Sequence, residues 1–323
     1  MLGACCLRKE RKMNKYKQNV YIITAGSSYL DIDAYACCVA MRELLELKNK
    51  KAVAYSDAPF NYSVCRTLIE EGQFTGVMPD GYDSKQAKYI IVDVSDPNFL
   101  GKYVPIDQVS EVYDHHVGFE AYWIDRIGPD AHIEFIGAAA TLVYREWKKT
   151  RFTEQMKHGT AKLLIAAILD NTLNLTSSNT TPEDIEVFRA LCEYADVGEE
   201  FRASYFSEVQ KSVEVDLKNA LFSDIKSVCD NPVLPSCVAQ LCVWNAKNVL
   251  DRLSEIRGWF AHLGESWMVN LIDLSGKCSY FVCDEARCQR GLERVFGISF
   301  EKGVAKTLTP YLRKQIIKSI LNP

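Results

Sequence analysis

The chain has 323 residues, 48% hydrophobic and 25% charged, with a net charge of −4 and a pI near 5.8. That length exceeds one ordinary hydrophobic core and predicts two domains. The acidic balance argues against a general duplex nucleic-acid surface, and no apolar run reaches the roughly 18 residues that cross a bilayer. The twelve cysteines include no Cys-x-x-Cys pair, so they read as reduced thiols of a cytoplasmic protein rather than a disulfide frame or zinc ribbon.

Residues 1–18 form a basic leader expected to be disordered, with its charges after the apolar part, the wrong order for a secretory signal. Val20 to Ala25 is a short β-branched strand broken at Gly26-Ser27-Ser28. Ala34 to Leu47 then carries apolar residues at helical spacing and includes Cys37 and Cys38. Strand, loop and helix in that order begin an α/β domain. Further strands are predicted at Ala52–Tyr55, at Lys88–Val92, and in the run leading to Asp114. Helices are predicted around Val64–Glu71, Gly137–Trp147 and Lys157–Leu169, the last followed by Asp170. Thr181, Pro182 and Asp184 have the spacing of an N-cap, a first helical residue and a returning acid. A charged helical linker follows over 183–221. Residues 222–323 mix strands and helices, with strands at Val238–Trp244, Trp267–Asp273 and Tyr280–Cys283.

Four polar clusters follow apolar segments: Asp31-Ile32-Asp33, Asp93 with Asp96, Asp114-His115-His116, and Asp170. Two of only five histidines stand side by side in the third. Each Asp alone has an ordinary role as a helix cap or turn residue. Together, at the carboxyl ends of strands in a parallel sheet, they can converge on one crevice. Several carboxylates cannot share a crevice unpaired, because desolvation and like charge both oppose ionisation. Divalent cations resolve that conflict, and mostly oxygen ligands with an imidazole suit Mn²⁺ or Mg²⁺.

In this order the motifs resemble those of the DHH phosphoesterase superfamily, nearest its manganese-dependent (family II) inorganic pyrophosphatases and prune-like exopolyphosphatases. The matching stretches are Tyr29–Ala34, Val92–Asp96, Asp114-His115-His116 and Ile168–Thr172, with Glu134–Thr141 as the Gly- and Ala-rich helix start. Ser223–Lys226 and Leu312–Gln315 resemble, more weakly, the basic motifs of that branch's substrate-binding domain.

The resemblance implies an α/β protein with a parallel-sheet metal-binding domain over 19–182 and a smaller α/β substrate-binding domain over 222–323, the active site lying in the cleft between them. It implies two Mn²⁺ ions per chain, with Mg²⁺ or Co²⁺ as substitutes. One would be held by Asp31 and Asp93, the other by Asp33, Asp93, His115 and Asp170, with Asp93 bridging. His116 would meet the substrate and Asp114 would orient a histidine. Lys226, Arg313 and Lys314 would neutralise the distal phosphate, although solvated surface charge is the competing reading of all three.

The implied activity is hydrolysis of pyrophosphate or short polyphosphate by a metal-bound hydroxide. Two departures stand out. Ser27 occupies the place of a family histidine, and Leu312 that of a family basic residue. The other readings are a phosphodiesterase for small nucleotides, with Tyr29, Tyr35 and Trp123 as a stacking wall, and a binding protein with an impaired metal centre. No membrane or duplex partner is expected, and a homodimer stays open.

Overall fold

The computed structural model describes residues 20–228 and 231–321 except 73, 75–76, 79–82, 84–85 and 232, so the expected leader lies outside the described residues. Two compact units are distinguished. The first groups the described parts of 1–60, 66–168 and 181–196, the second those of 61–65, 169–180 and 197–323.

The first unit contains a parallel sheet of β1 (Val20–Thr24), β2 (Lys51–Ala54), β3 (Lys88–Val92), β4 (Val109–Asp114) and β5 (Ala131–Ile133). Their spatial order is β2-β1-β3-β4-β5. β3 is apolar along nearly its whole length and buried at every residue after Lys88, as expected of a parallel strand covered on both faces. Helix α1 (Ile32–Leu47) is buried around most of its circumference, including Cys37 and Cys38. It packs against β2 and against α4 (Ala139–Thr150).

Between these lie α2 (Arg66–Gly72) and α3 (Glu120–Ile127). α5 (His158–Asn171) runs one residue past Asp170, which therefore sits in its last turn. α6 (Pro182–Ala195) starts with a complete capping box: the Thr181 side chain accepts from Asp184 N, and the Asp184 carboxylate accepts from Thr181 N at 2.7 Å. The sheet order reverses between β1 and β3. That is the switch point outside which open α/β sheets bind ligands.

The second unit begins with α7 (Glu199–Val215) and α8 (Leu217–Ser223). Its mixed sheet has the order β10-β9-β8-β7-β6. The strands are β6 (Ile225–Ser227), β7 (Cys237–Val243), β8 (Trp267–Asp273), β9 (Cys278–Val282) and β10 (Val304–Lys306). β7 and β8 are parallel and the other pairs antiparallel.

Side chains alternate between the two faces with the period of a strand. Ala239, Leu241, Val243, Val269, Leu271 and Val282 join one core with α7, α8, α9 (Lys247–Leu250) and α10 (Leu253–Ala261). Val238, Met268 and Phe281 join the other with α11 (Ala286–Phe296) and α12 (Arg313–Leu321). No helix among the described residues is long and apolar enough to cross a membrane.

Candidate metal centre

Two motif loops flank the switch point of the first sheet, one after β1 and one after β3. Asp31 is the N-cap of α1, in extended backbone, and its Oδ1 accepts Ala34 N at 3.0 Å. Asp33, one turn later, is fully buried. Its two oxygens accept the N–H groups of Ala139 and Ala140, each at 2.8 Å, and Cys37 Sγ donates at 3.5 Å. Ala138, the N-cap of α4, makes no side-chain capping bond, so Asp33 caps that helix from 106 residues away. Burial first, and the charge of Asp31 second, push Asp33 up to about 7 against the pull of its two amide donors.

Asp93 follows β3 with a φ of 56°, in the left-handed region. For a residue with a Cβ this conformation costs about 1–3 kcal/mol and persists only where the surroundings impose it. Its own N–H donates to Tyr113 O at 2.8 Å, tying the loop to β4. Burial, then the charges of Asp31, Asp33 and Asp114, push its carboxyl well above the usual range.

Asp114 ends β4 and is fully buried. Burial raises its carboxyl, but hydrogen bonding and charge from His116 outweigh that and hold it below the usual range. Its Oδ1 lies 2.8 Å from His116 Nδ1 and accepts His116 N at 3.1 Å, so the acid orients the exposed second histidine.

His115 is 4% exposed. Its Nδ1 lies 3.3 Å from the carbonyl of Ile136, which can only accept, so Nδ1 carries the proton. In the neutral ring Nε2 then presents a lone pair to Asp93 Oδ1, 3.3 Å away. That carboxylate oxygen is itself buried with no hydrogen-bond donor among the described residues.

Two acceptors facing each other in a buried site require a proton or a cation between them. Donor atoms of Asp93, His115 and His116 all lie within 4.8 Å of one another. An imidazole with its far nitrogen fixed by a carbonyl, beside carboxylates, is a donor set that fits a divalent transition metal.

The first unit thus brings Asp93, His115, His116 and Asp114 together and keeps Asp31 and Asp33 within electrostatic reach of Asp93. Ser27 is exposed at the same sheet edge, where its N–H donates to Phe99 O at 2.8 Å. Tyr35 and Trp123 are fully buried, which makes them core rather than a stacking wall; Tyr29 is half-buried.

Trp123 has a different part. Its Nε1 donates to Ser95 O at 2.6 Å, and Ser95 Oγ donates to His116 O at 3.0 Å, bracing the histidine loop. Ser95 lies inside the Val92–Asp96 motif, whereas no sequence signal points to Trp123 in this role.

Asp170 belongs to the second unit, where its Oδ1 accepts the hydroxyl of Tyr205 at 2.9 Å. Arg313 is 6% exposed. Its guanidinium pairs with the Asp224 carboxylate and donates to the carbonyls of Asp224 and Val238. Lys226, on β6, and Lys314 are exposed. Desolvation first, and the charge of Arg313 second, lower Lys226 below the usual lysine range.

A Staphylococcus haemolyticus protein described as a probable manganese-dependent inorganic pyrophosphatase is 26% identical over 239 residues, 72% of this chain and 74% of that one. A Methanococcus jannaschii protein assigned as a family II inorganic pyrophosphatase shares the fold with a TM-score of 0.63 and 18% identity, over 94% of this chain and 98% of that chain. An exopolyphosphatase-related protein from Bacteroides fragilis aligns with a TM-score of 0.51 and 12% identity, over 97% and 94% of the two chains. No family model matches the sequence. With its motif loops at the switch point of a parallel sheet, and a second mixed sheet after it, the chain shares the α/β fold of these two solved proteins and is similar in sequence to the manganese-dependent pyrophosphatase.

Proposed function

We propose that the chain is a divalent-metal phosphohydrolase that cleaves the phosphoanhydride bond of pyrophosphate or short polyphosphate. The observation that supports this most directly is the buried Asp93 Oδ1 facing His115 Nε2 at 3.3 Å, an arrangement that a proton or a cation must bridge and that a divalent ion would satisfy. The description of the 26%-identical relative as a manganese-dependent pyrophosphatase points to Mn²⁺ and to a small phosphate substrate.

We assign Asp31, Asp33, Asp93 and His115 to two divalent ions, with Asp93 serving both. Asp33 remains compatible with a ligand role through Oδ2, which spends one lone pair on Ala139 N and keeps another, whereas Oδ1 accepts both Ala140 N and Cys37 Sγ. Bound divalent ions would bring positive charge to the phosphoryl oxygens and acidify a water near pH 7.

The remaining roles belong to the side chains. Asp114 fixes the His116 ring through Nδ1, leaving Nε2 to meet a phosphate oxygen. Lys226 and Lys314 are exposed cations suited to the distal phosphate. Arg313 contributes by holding Asp224, two residues before Lys226, rather than through an open guanidinium.

The test is phosphate release with Mn²⁺, Mg²⁺ or Co²⁺ from pyrophosphate, tripolyphosphate and a cyclic dinucleotide, with Mn²⁺ binding measured alongside. Asp93→Asn and His115→Ala should keep their circular dichroism and lose at least ~100-fold in Mn²⁺ affinity, more than an outer partner of a ligand costs. Wild-type affinity and turnover in either variant would remove the proposed centre. Release from the cyclic dinucleotide alone would replace the phosphoanhydride substrate with a phosphodiester.

A further inference from the structure

From the second unit we infer that Gln240 and Asn270 are positioning residues for phosphate binding. They hold the start of α12, and with it Lys314, in register with β6, which carries Lys226. This rests on the assignment of those two lysines to phosphate, as proposed above.

Both side chains are out of keeping with the face they occupy. Gln240 on β7 lies opposite Asn270 on β8. By strand alternation they share the sheet face where Val238, Met268 and Phe281 join the apolar core with α11 and α12. Asn270 is fully buried, and no donor among the described residues meets its Oδ1. Strand interiors disfavour Asn, and an orphaned buried oxygen is destabilising. An apolar residue of similar size would suit that position better, unless the amide nitrogen has a task.

Its task is the chain entering α12. Asn270 Nδ2 donates to Tyr311 O at 2.7 Å and to Gln240 Oε1 at 3.3 Å. The same Gln240 oxygen accepts Arg313 N at 2.6 Å, one of the N–H groups that the first turn of a helix leaves unpaired. Tyr311 N donates to Ser279 Oγ at 2.9 Å, and Leu312 N to Gln315 Oε1 at 2.7 Å. Side chains thus fix the amides of three successive residues. From there the Arg313 guanidinium reaches the Asp224 carboxylate and the carbonyls of Asp224 and Val238, and Val238 pairs with Lys226 across β6 and β7. Releasing Arg313 N from Gln240 therefore shifts Lys314 and loosens the anchor beside Lys226 together.

The experiment measures binding of inorganic pyrophosphate to the full chain by calorimetry in EDTA, and kcat and KM for pyrophosphate with Mn²⁺. Gln240→Met removes the acceptor at similar volume, Asn270→Leu removes the donor, and Gln240→Glu keeps an acceptor in place. Gln240→Met and Asn270→Leu should each weaken binding and raise KM by about 5- to 10-fold, the worth of one or two hydrogen bonds, with kcat unchanged. Gln240→Glu should recover the lost affinity. A purely structural role would lower the melting temperature and leave affinity and KM at their wild-type values.

Gln240, only half-buried, carries the test if Asn270→Leu fails to fold. Wild-type affinity in Gln240→Met, with Lys314→Ala weakened, overturns the positioning role and leaves the lysines at the phosphate. Wild-type affinity in both Lys226→Ala and Lys314→Ala overturns the two together. Absence of phosphate release from the wild-type chain, with the binding pattern as expected, would remove the proposed hydrolysis and keep the positioning.

Discussion

At the scale of single residues, the centre is a set of side chains whose neighbours leave them few options. His115 has its tautomer chosen by a carbonyl, His116 its ring direction chosen by a carboxylate, and Asp93 its backbone forced into the left-handed region. Trp123 belongs to the same group at one remove, through Ser95. Trp123→Phe should leave the Ser95 carbonyl without its buried donor and lower stability by about 1–3 kcal/mol in urea melts. It should also reduce turnover about tenfold by loosening His116, while Mn²⁺ affinity stays at the wild-type value; a variant with full turnover would show that the bracing has no role in function. The carboxylates and imidazoles gathered around Asp93 were legible in the sequence because ionisable groups that directly follow apolar strands stand out there. Their partners were not: the Ile136 carbonyl and the Trp123 indole are common groups placed only by tertiary packing.

At the scale of elements, long apolar runs announced themselves and short ones did not. β3 appears where five consecutive residues predicted it, and the Thr181-Pro182 start of α6 is where the capping pattern placed it. β5, β6 and β10, three residues each, were missed because so short a strand at a sheet margin has no periodicity to read.

Asp184 shows how much one capping residue can carry. Besides closing the box on Thr181, its buried carboxylate accepts from Gly137 N at 2.9 Å and from Thr141 Oγ1 at 2.6 Å, joining α6 to the start of α4. Thr181→Ala should cost about 1 kcal/mol, the ordinary value of an N-cap. Asp184→Ala should cost at least about 3 kcal/mol, because several buried donors lose their acceptor at once. Chemical denaturation of the metal-free chain separates the two, and equal losses would mean that Asp184 acts only as a cap.

At the scale of the whole molecule, the acidic centre couples folding to pH and, on the proposed function, to metal. Asp33 is pushed up to about 7 and Asp93 is also raised, so the folded metal-free chain keeps protons that the unfolded chain releases near pH 4. Stability then falls as pH rises from about 4 to about 7, by an amount on the order of a few kcal/mol. On the proposed function, divalent metal would bind the ionised carboxylates and reverse the trend, its stabilising effect growing with pH. Melting in EDTA at pH 5, 6.5 and 8, repeated with Mn²⁺, checks both halves; a metal-free chain more stable at pH 8 than at pH 5 would contradict the first.

One further consequence follows from the outermost strands. Each sheet ends on both sides in a strand of only three or four residues: β2 and β5 in one, β6 and β10 in the other. So short a margin offers an incoming chain very few main-chain bonds. A sheet continued through these margins from one copy to another would gain little from its main-chain bonds, which leaves helices and loops as the larger surfaces for any contact.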